Sequence, residues 1–175
     1  TAAAARLLVQ HIDKKIKDPN EILNHLNRNI IKLLKQDDEG SSSRDGMDVS
    51  ICSINKQKTK MLYSSASRPM YYVREGVLNE INLKNHSIGG SYDDYEITYN
   101  GCEIDIDPND TYFLFSDGYA DQFDKTDRIK FSSKRLKSLF LEIAAMDNTQ
   151  QYKVLDERLN DWKGDRNQLD DITLI

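Results

Sequence analysis

The sequence predicts an α+β fold, and three observations carry this prediction. Apolar residues recur at helical spacing over residues 2–36, whereas over 47–115 they alternate or form the short solid runs that are typical of β-strands. Helical spacing returns from Leu136 onward, and the chain ends in a last apolar stretch at 172–175. Helices, then mostly antiparallel strands, then helices and one final strand are the order expected of an α+β domain.

A pair of helices is predicted at the start of the chain, over residues 2–17 and 19–36. Asp18 is a suitable N-cap for the second helix, Pro19 suits its first position, and Glu21 completes a capping-box-like arrangement. We expect six apolar residues to share one face of this helix: Ile22, Leu23, Leu26, Ile30, Leu33 and Leu34. The polar stretch 37–43 is predicted to be a loop.

The middle of the chain is predicted to be a series of strands. Their expected bounds are 47–54, 59–64, 70–74, 77–83, 97–106 and 112–115. Glu75-Gly76 is expected to form a hairpin turn, Gly101 a bulge or turn, and Pro108-Asn109-Asp110 a turn. Ile88-Gly89-Gly90 is open to two interpretations, a plain turn or a segment that shapes a site.

Two further helices are predicted after the predicted strands. The first is marked by Leu136, Leu139, Phe140 and Ile143, and the second by Tyr152, Leu155, Leu159 and Trp162. Gly164 is a plausible end for the second helix. The polar pair Asp170-Asp171 then leads into a predicted strand at 172–175.

Composition excludes several classes of protein. The 175 residues carry 24 Lys and Arg against 29 Asp and Glu, a formal net charge of −5, which argues against a general nucleic-acid binder. Cys52 and Cys102 are fifty positions apart, so neither belongs to a CxxC zinc or redox motif, and we expect reduced cysteines in a cytoplasmic protein. A membrane tether through an upstream sensor region is compatible with this location.

The candidate chemistry lies in carboxylates at strand ends. Asp117 follows the predicted strand 112–115 and precedes Gly118, where the backbone can approach a ligand closely, and Asp170 and Asp171 precede 172–175. Because His11, His25 and His86 lie elsewhere in the sequence, oxygen-only ligation favours Mg²⁺ or Mn²⁺. Taken alone, Ser-Asp-Gly is also a common turn and Asp-Asp also a solvated cap.

Six segments in order resemble the SpoIIE/RsbU-like serine phosphatases, within the PPM class of metal-dependent protein phosphatases. They are residues 19–27, Asp45-Gly46-Met47-Asp48, 65–71, Ile88-Gly89-Gly90, 114–122 and 170–175. The resemblance covers nearly the whole chain. It implies a β-sandwich flanked by helices, with the chain from 1 to 175 forming the C-terminal major part of one domain. Residues 1–36 would be a switch-like helix pair, and 47–175 the sandwich strands and flanking helices.

The resemblance also implies a function and a site. The function is Mn²⁺- or Mg²⁺-dependent dephosphorylation of a protein serine or threonine, with two ions in the complete domain. Asp117 and Asp170 would be the catalytic metal ligands, with Gly118 and Asp171 beside them in the metal site. The expected substrate is a phosphorylated STAS-type anti-sigma-factor antagonist in bacterial signal transduction. An upstream sensor domain is also expected, and a homodimer is compatible with this reading.

One family motif is missing from this sequence. The family's first metal motif, an Asp followed shortly by Gly-His-Gly, does not occur in these 175 residues. We therefore expect an N-terminally incomplete domain, which alone would bind metal weakly and have little activity. The alternative function is a non-catalytic module that binds an anti-sigma factor or its antagonist without turnover.

Overall fold

The computed structural model describes residues 18–36, 45–90 and 97–175. Within these ranges the helices are α1 (Pro19–Leu33), α2 (Gly118–Asp121), α3 (Ser132–Ile143) and α4 (Asn148–Lys163). The strands are β1 (Gly46–Met47), β2 (Val49–Ile54), β3 (Lys60–Ala66), β4 (Met70–Arg74), β5 (Val77–Ile81), β6 (Ile88–Gly89), β7 (Gly101–Asp105) and β8 (Thr111–Phe113). This order confirms the α+β class. The predicted helix 2–17 and the predicted loop 37–43 lie outside the described residues.

The chain divides into two compact units. The first comprises the residues up to Pro69 together with Asn82–Ile106, and the second comprises Met70–Ile81 and Asp107–Ile175. Each unit has its own buried apolar cluster. A single domain over 1–175, divided into 1–36 and 47–175, stays a prediction.

Helix α1 begins as predicted and ends earlier than predicted. The Asp18 carboxylate accepts a hydrogen bond from the Asn20 backbone N–H at 2.9 Å, which confirms the N-cap, and Pro19 follows it. The helix ends at Leu33. Leu33 and Leu34 are 55% and 37% exposed, so the predicted apolar face is wrong at these two positions.

Polar side chains of α1 join the helix to β6 and to the segment that precedes β7, both in the first unit. The Asn27 Oδ1 accepts from the Gly89 N–H at 2.9 Å, and the Asn24 Oδ1 accepts from the Tyr99 N–H at 2.9 Å. Gly89 has φ +72°, and a Cβ there would lie 3.0 Å from both the Asp45 carbonyl oxygen and Ile30 Cγ2. Residues 88–89 form β6 and pair with β1, so the interpretation of 88–90 as a plain turn is wrong.

The main sheet of the first unit has the antiparallel order β2-β3-β7. The predicted strand 47–54 is interrupted at Asp48, where β1 and β2 separate, because β1 pairs with β6 and β2 with β3. Gly101 is the first residue of β7, paired with Ser64, rather than a bulge or turn. Glycine is needed there because a Cβ would overlap the Asn20 Oδ1.

The two cysteines lie in this sheet on either side of Tyr63. Cys52 pairs with Tyr63 across β2 and β3, and Cys102 pairs with Tyr63 across β3 and β7. Both thiols are free, as predicted. Burial, and then the neighbouring Cys102, raises the pKa of Cys52 to about 11, so this thiol stays protonated at neutral pH.

The second unit packs the sheet β5-β4-β8 against α3. Its hairpin turns at Glu75-Gly76 as predicted, with both residues at positive φ. The rings of Phe113 and Phe140 stack with centroids 4.3 Å apart at the centre of this core. The predicted buried face of α3 is confirmed: Leu136, Leu139, Phe140 and Ile143 are all buried.

Helix α4 ends at Gly164 as predicted, but its predicted apolar stripe is wrong at Tyr152. Gly164 adopts φ +57°, and its N–H donates to the Asn160 carbonyl at 2.9 Å. Tyr152 is 72% exposed, whereas Leu159 is buried. Among the described residues, no helix is long and apolar enough to cross a membrane.

Candidate functional site

The Ser-Asp-Gly turn follows β8 and is held to the C-terminal segment by hydrogen bonds. The backbone N–H of Ser116 donates to the Thr173 carbonyl at 2.9 Å. The Ser116 hydroxyl donates to the Asp171 carbonyl at 2.9 Å and accepts from the Thr173 N–H at 2.9 Å. Two bonds between the backbones of Leu114 and Ile175 continue this pairing. The turn and the terminal Asp-Asp pair are therefore neighbours although about fifty residues separate them.

The C-terminal segment is less regular and less buried than predicted. Its β pairing is confined to an isolated antiparallel bridge between Phe115 and Leu174, and Ile175 is 75% exposed, so a continuous buried strand over 172–175 is wrong. The reason is that a single neighbouring segment, 114–116, provides its described backbone partners. Asp170 and Asp171 consequently lie exposed, next to a half-buried apolar segment.

Gly118 brings the two carboxylate segments into backbone contact. A Cβ added to Gly118 would lie 2.6 Å from the Asp171 carbonyl oxygen and 3.0 Å from both the Asp171 carbonyl carbon and Ile172 Cγ1. These distances are shorter than ordinary van der Waals contacts of a Cβ atom, so only glycine allows this approach. Asp117 immediately precedes Gly118, so its backbone lies next to the Asp171 backbone, and a shared site of the three carboxylates stays a prediction.

Local hydrogen bonds also orient Asp117 and Asp170. The carbonyl of Asp117 accepts from the Asp121 N–H at 2.9 Å, so the short helix α2 begins directly after this residue. One oxygen of the Asp170 carboxylate accepts from the Asp171 N–H at 2.7 Å, and the Asp170 carbonyl accepts from the Gln168 side-chain amide at 2.7 Å. Asp117 is half-buried, whereas Asp170 and Asp171 are exposed.

The donors that this arrangement offers fit a hard divalent cation. They are carboxylate and backbone oxygens, the ligand type preferred by Mg²⁺ and Mn²⁺. Within residues 18–36, 45–90 and 97–175, no three His, Cys, Asp or Glu side chains lie close enough together to hold a metal ion. The site residues match such an ion in ligand type. Assigning Asp117, Gly118, Asp170 and Asp171 to a metal site stays a prediction.

Sequence analysis did not select Ser116 as a site residue, although its hydroxyl connects the two segments. A serine before Asp-Gly occurs in many turns, and its partners at Asp171 and Thr173 become visible only in three dimensions. Of the predicted non-catalytic histidines, His86 is exposed, His25 is half-buried, and His11 lies outside the described residues.

A protein-family model matches the chain over its full length. The model described as Stage II sporulation protein E (SpoIIE) matches residues 1–175. A search of proteins with curated functions found no match.

Solved structures share the fold at low sequence identity. The SiaA-PP2C domain of Pseudomonas aeruginosa is 21% identical with a TM-score of 0.82, over 98% of this chain and 65% of that one. The RsbU and RsbW domains of a Mycobacterium tuberculosis protein are 15% identical with a TM-score of 0.72, over 98% of this chain and 44% of that one. The PPM Ser-Thr phosphatase MsPP of Mycobacterium smegmatis, in complex with cacodylate, is 16% identical with a TM-score of 0.59, over 99% and 78%. The chain thus spans less than two thirds of the length of the SiaA and the M. tuberculosis structures.

Proposed function

We propose that this chain, which belongs to the SpoIIE family of PP2C-type phosphatase domains, hydrolyses phosphoserine or phosphothreonine in a protein substrate. The observation that carries the proposal is the contact between the two aspartate segments. Gly118 lies against the Asp171 backbone, and the Ser116 hydroxyl bonds to the same residue. This contact between the Ser-Asp-Gly motif and the terminal Asp-Asp pair supports the proposal.

Asp117 and Asp170 would hold Mn²⁺ or Mg²⁺, with Gly118 and Asp171 lining the same site. When bound, a divalent ion supplies Lewis-acid catalysis by activating water and stabilising charge on phosphoryl oxygens. The chain's own contribution is positioning. The Asp171 N–H orients the Asp170 carboxylate, the Ser116 hydroxyl holds 171–173, and the missing Gly118 side chain lets the segments approach.

The proposed substrate is a phosphorylated STAS-type anti-sigma-factor antagonist. Support comes from the RsbU and RsbW domains of the similar mycobacterial structure and from the SiaA domain, both of which match nearly the whole chain. The formal net charge of −5 favours a protein partner over nucleic acid. We place the protein in the cytoplasm, within a signalling pathway that receives its input from an upstream sensor region.

Helix α1 is proposed to take part in regulation, as half of the switch-like pair over 1–36. Its polar bonds to Gly89 and Tyr99 support this role because they fix the rotation and translation of the helix relative to β6 and to the segment that precedes β7. A shift of the helix would have to break these bonds together. Such an element has discrete positions, which is what a switch requires.

The test is Mn²⁺-dependent hydrolysis by the complete protein, with a generic phosphoester and a phosphorylated STAS protein as substrates. Asp117→Asn and Asp170→Asn should each abolish the metal-dependent rate because each removes a charged ligand. Asp161→Asn, which changes an exposed carboxylate of α4, is the matched control and should retain full activity.

Two results would count against the proposal in different ways. Full activity in both Asp117→Asn and Asp170→Asn would show that the site is assigned to the wrong residues. Tight binding of the phosphorylated STAS protein by the wild type without turnover at any Mn²⁺ concentration would favour the non-catalytic binding module.

A further inference from the structure

A buried glutamine connects the two halves of the candidate site. Gln122 follows α2 directly, and its side chain is fully buried, with 0% of the residue exposed. Its Oε1 accepts a hydrogen bond from the Leu169 N–H at 3.1 Å, and its Nε2 donates to the Asn167 carbonyl at 3.3 Å. The amide thus binds the backbone on both sides of Gln168, immediately before Asp170.

The backbone of Gln122 is itself held firmly, so it can act as an anchor. Its carbonyl accepts from the Phe131 N–H at 2.9 Å and from the Trp162 indole N–H at 3.1 Å. The rings of Phe131 and Trp162 meet edge to face with centroids 5.3 Å apart. These bonds tie Gln122 to the residue before α3 and to the last turn of α4.

We propose that Gln122 is a positioning residue, which holds segment 167–169 so that Asp170 and Asp171 face Asp117. This inference rests on the proposed function of these aspartates. The segment before Asp170 is otherwise mostly exposed, so little burial of its own restricts it. A side-chain amide suits the task because it presents a donor and an acceptor together, matching one carbonyl and one N–H.

The sequence motif alone does not reveal this role. Gln122 stands five positions after Asp117, where a polar residue after a short helix is expected to be exposed. The Gln122 Nε2 also donates to the carbonyl of the adjacent Phe123 at 3.3 Å. A buried amide with these partners is costly to replace with an apolar side chain, because the backbone groups it served would lose their partner.

The experiment compares Gln122→Met with Gln151→Met in the complete protein. Methionine preserves the approximate volume and length while removing both hydrogen-bonding functions. Gln151 is a matched control because its Nε2 also donates two bonds to backbone carbonyls, those of Ile143 and Met146, each at 3.2 Å, within the same unit. Thermal unfolding shows whether both variants fold and whether they lose similar stability.

Two readouts separate positioning from a merely structural role. Hydrogen exchange at the Leu169 amide, measured without metal, should accelerate at least tenfold in Gln122→Met and stay at the wild-type rate in Gln151→Met. The Kd for Mn²⁺ should rise about tenfold in Gln122→Met alone, the size typical of losing a residue that supports a metal ligand. Wild-type Mn²⁺ affinity in folded Gln122→Met would overturn the inference.

The two proposals can fail separately. If the wild-type protein binds no Mn²⁺, the proposed function fails, and the exchange measurement still tests the anchor. Unchanged exchange at Leu169 in Gln122→Met would then overturn the role of Gln122. If the wild type binds Mn²⁺ and Gln122→Met binds it with the same Kd as Gln151→Met, the positioning role fails and the phosphatase proposal stands.

Discussion

Replacing Gly118 with alanine tests the contact that joins the two aspartate segments. The new Cβ would lie 2.6 Å from the Asp171 carbonyl oxygen, so the turn or the C-terminal segment would have to move. Gly→Ala in a helix without a clash stabilises by about 0.5–1 kcal/mol, whereas overpacking costs about 1–3 kcal/mol. The clash should dominate, and we expect Gly118→Ala to lower the free energy of unfolding by about 1–2 kcal/mol.

The same displacement should weaken metal binding, because it separates Asp117 from the Asp-Asp pair. We expect the Kd for Mn²⁺ to rise about tenfold. Urea unfolding and Mn²⁺ titration of the complete protein measure the two effects. Gly76→Ala is the control: Gly76 has φ +74°, and no atom lies within 4 Å of an added Cβ. It should lose about 1–2 kcal/mol through backbone strain alone and bind Mn²⁺ like the wild type.

The sign of the stability change is decisive. Gly118→Ala that is as stable as the wild type, or more stable, would refute the close approach to Asp171. A destabilised Gly118→Ala with wild-type Mn²⁺ affinity would show that the contact is structural and lies outside the metal site.

Three further predictions concern stability. Asn27→Leu removes the buried acceptor of the Gly89 N–H and should cost about 1–3 kcal/mol in urea unfolding. Ser67→Gly should stabilise by about 1 kcal/mol, because Ser67 has φ +68°; a thermal melt that does not rise would contradict this. Arg74 bonds to the buried Asp110 carboxylate and lowers the pKa of that carboxyl group. The pair therefore stabilises the folded state fully at pH values above the ordinary carboxyl pKa, and this stabilisation is lost as the pH falls through the lowered pKa. Arg74→Met should therefore lower the free energy of unfolding at neutral pH and move acid unfolding, followed by circular dichroism, to higher pH.

Local sequence signals predicted the elements whose residues interact with near neighbours. Asp18 and Pro19 marked the start of α1, and Glu75-Gly76 marked the hairpin of β4 and β5. The face of α3 that includes Phe140 followed from helical spacing alone. In these cases the cap, the turn conformation or the periodicity is set by residues a few positions apart, so the chain itself carries the information.

The same signals failed where exposure depends on distant parts of the chain. An apolar stripe was predicted by spacing to include Leu33, Leu34 and Tyr152, yet each is exposed. Spacing shows which residues share a helix face, but it does not show how far the neighbouring element covers that face. The segment 172–175 reads as a buried strand, yet its described backbone partners come from 114–116 alone and Ile175 is exposed.

For the candidate site, local features of the sequence were enough to predict the kind of chemistry, whereas the hydrogen bonds that hold its segments together depend on the fold. Asp117 and Asp170 could be predicted as oxygen ligands because a charge next to an apolar run and a family motif are both local features. The Ser116 hydroxyl and the Gln122 amide were not recognisable, because their partners at Asp171 and Leu169 lie 55 and 47 residues away along the chain. A hydrogen bond needs a donor and an acceptor about 3 Å apart, and over such separations only folding brings the two together.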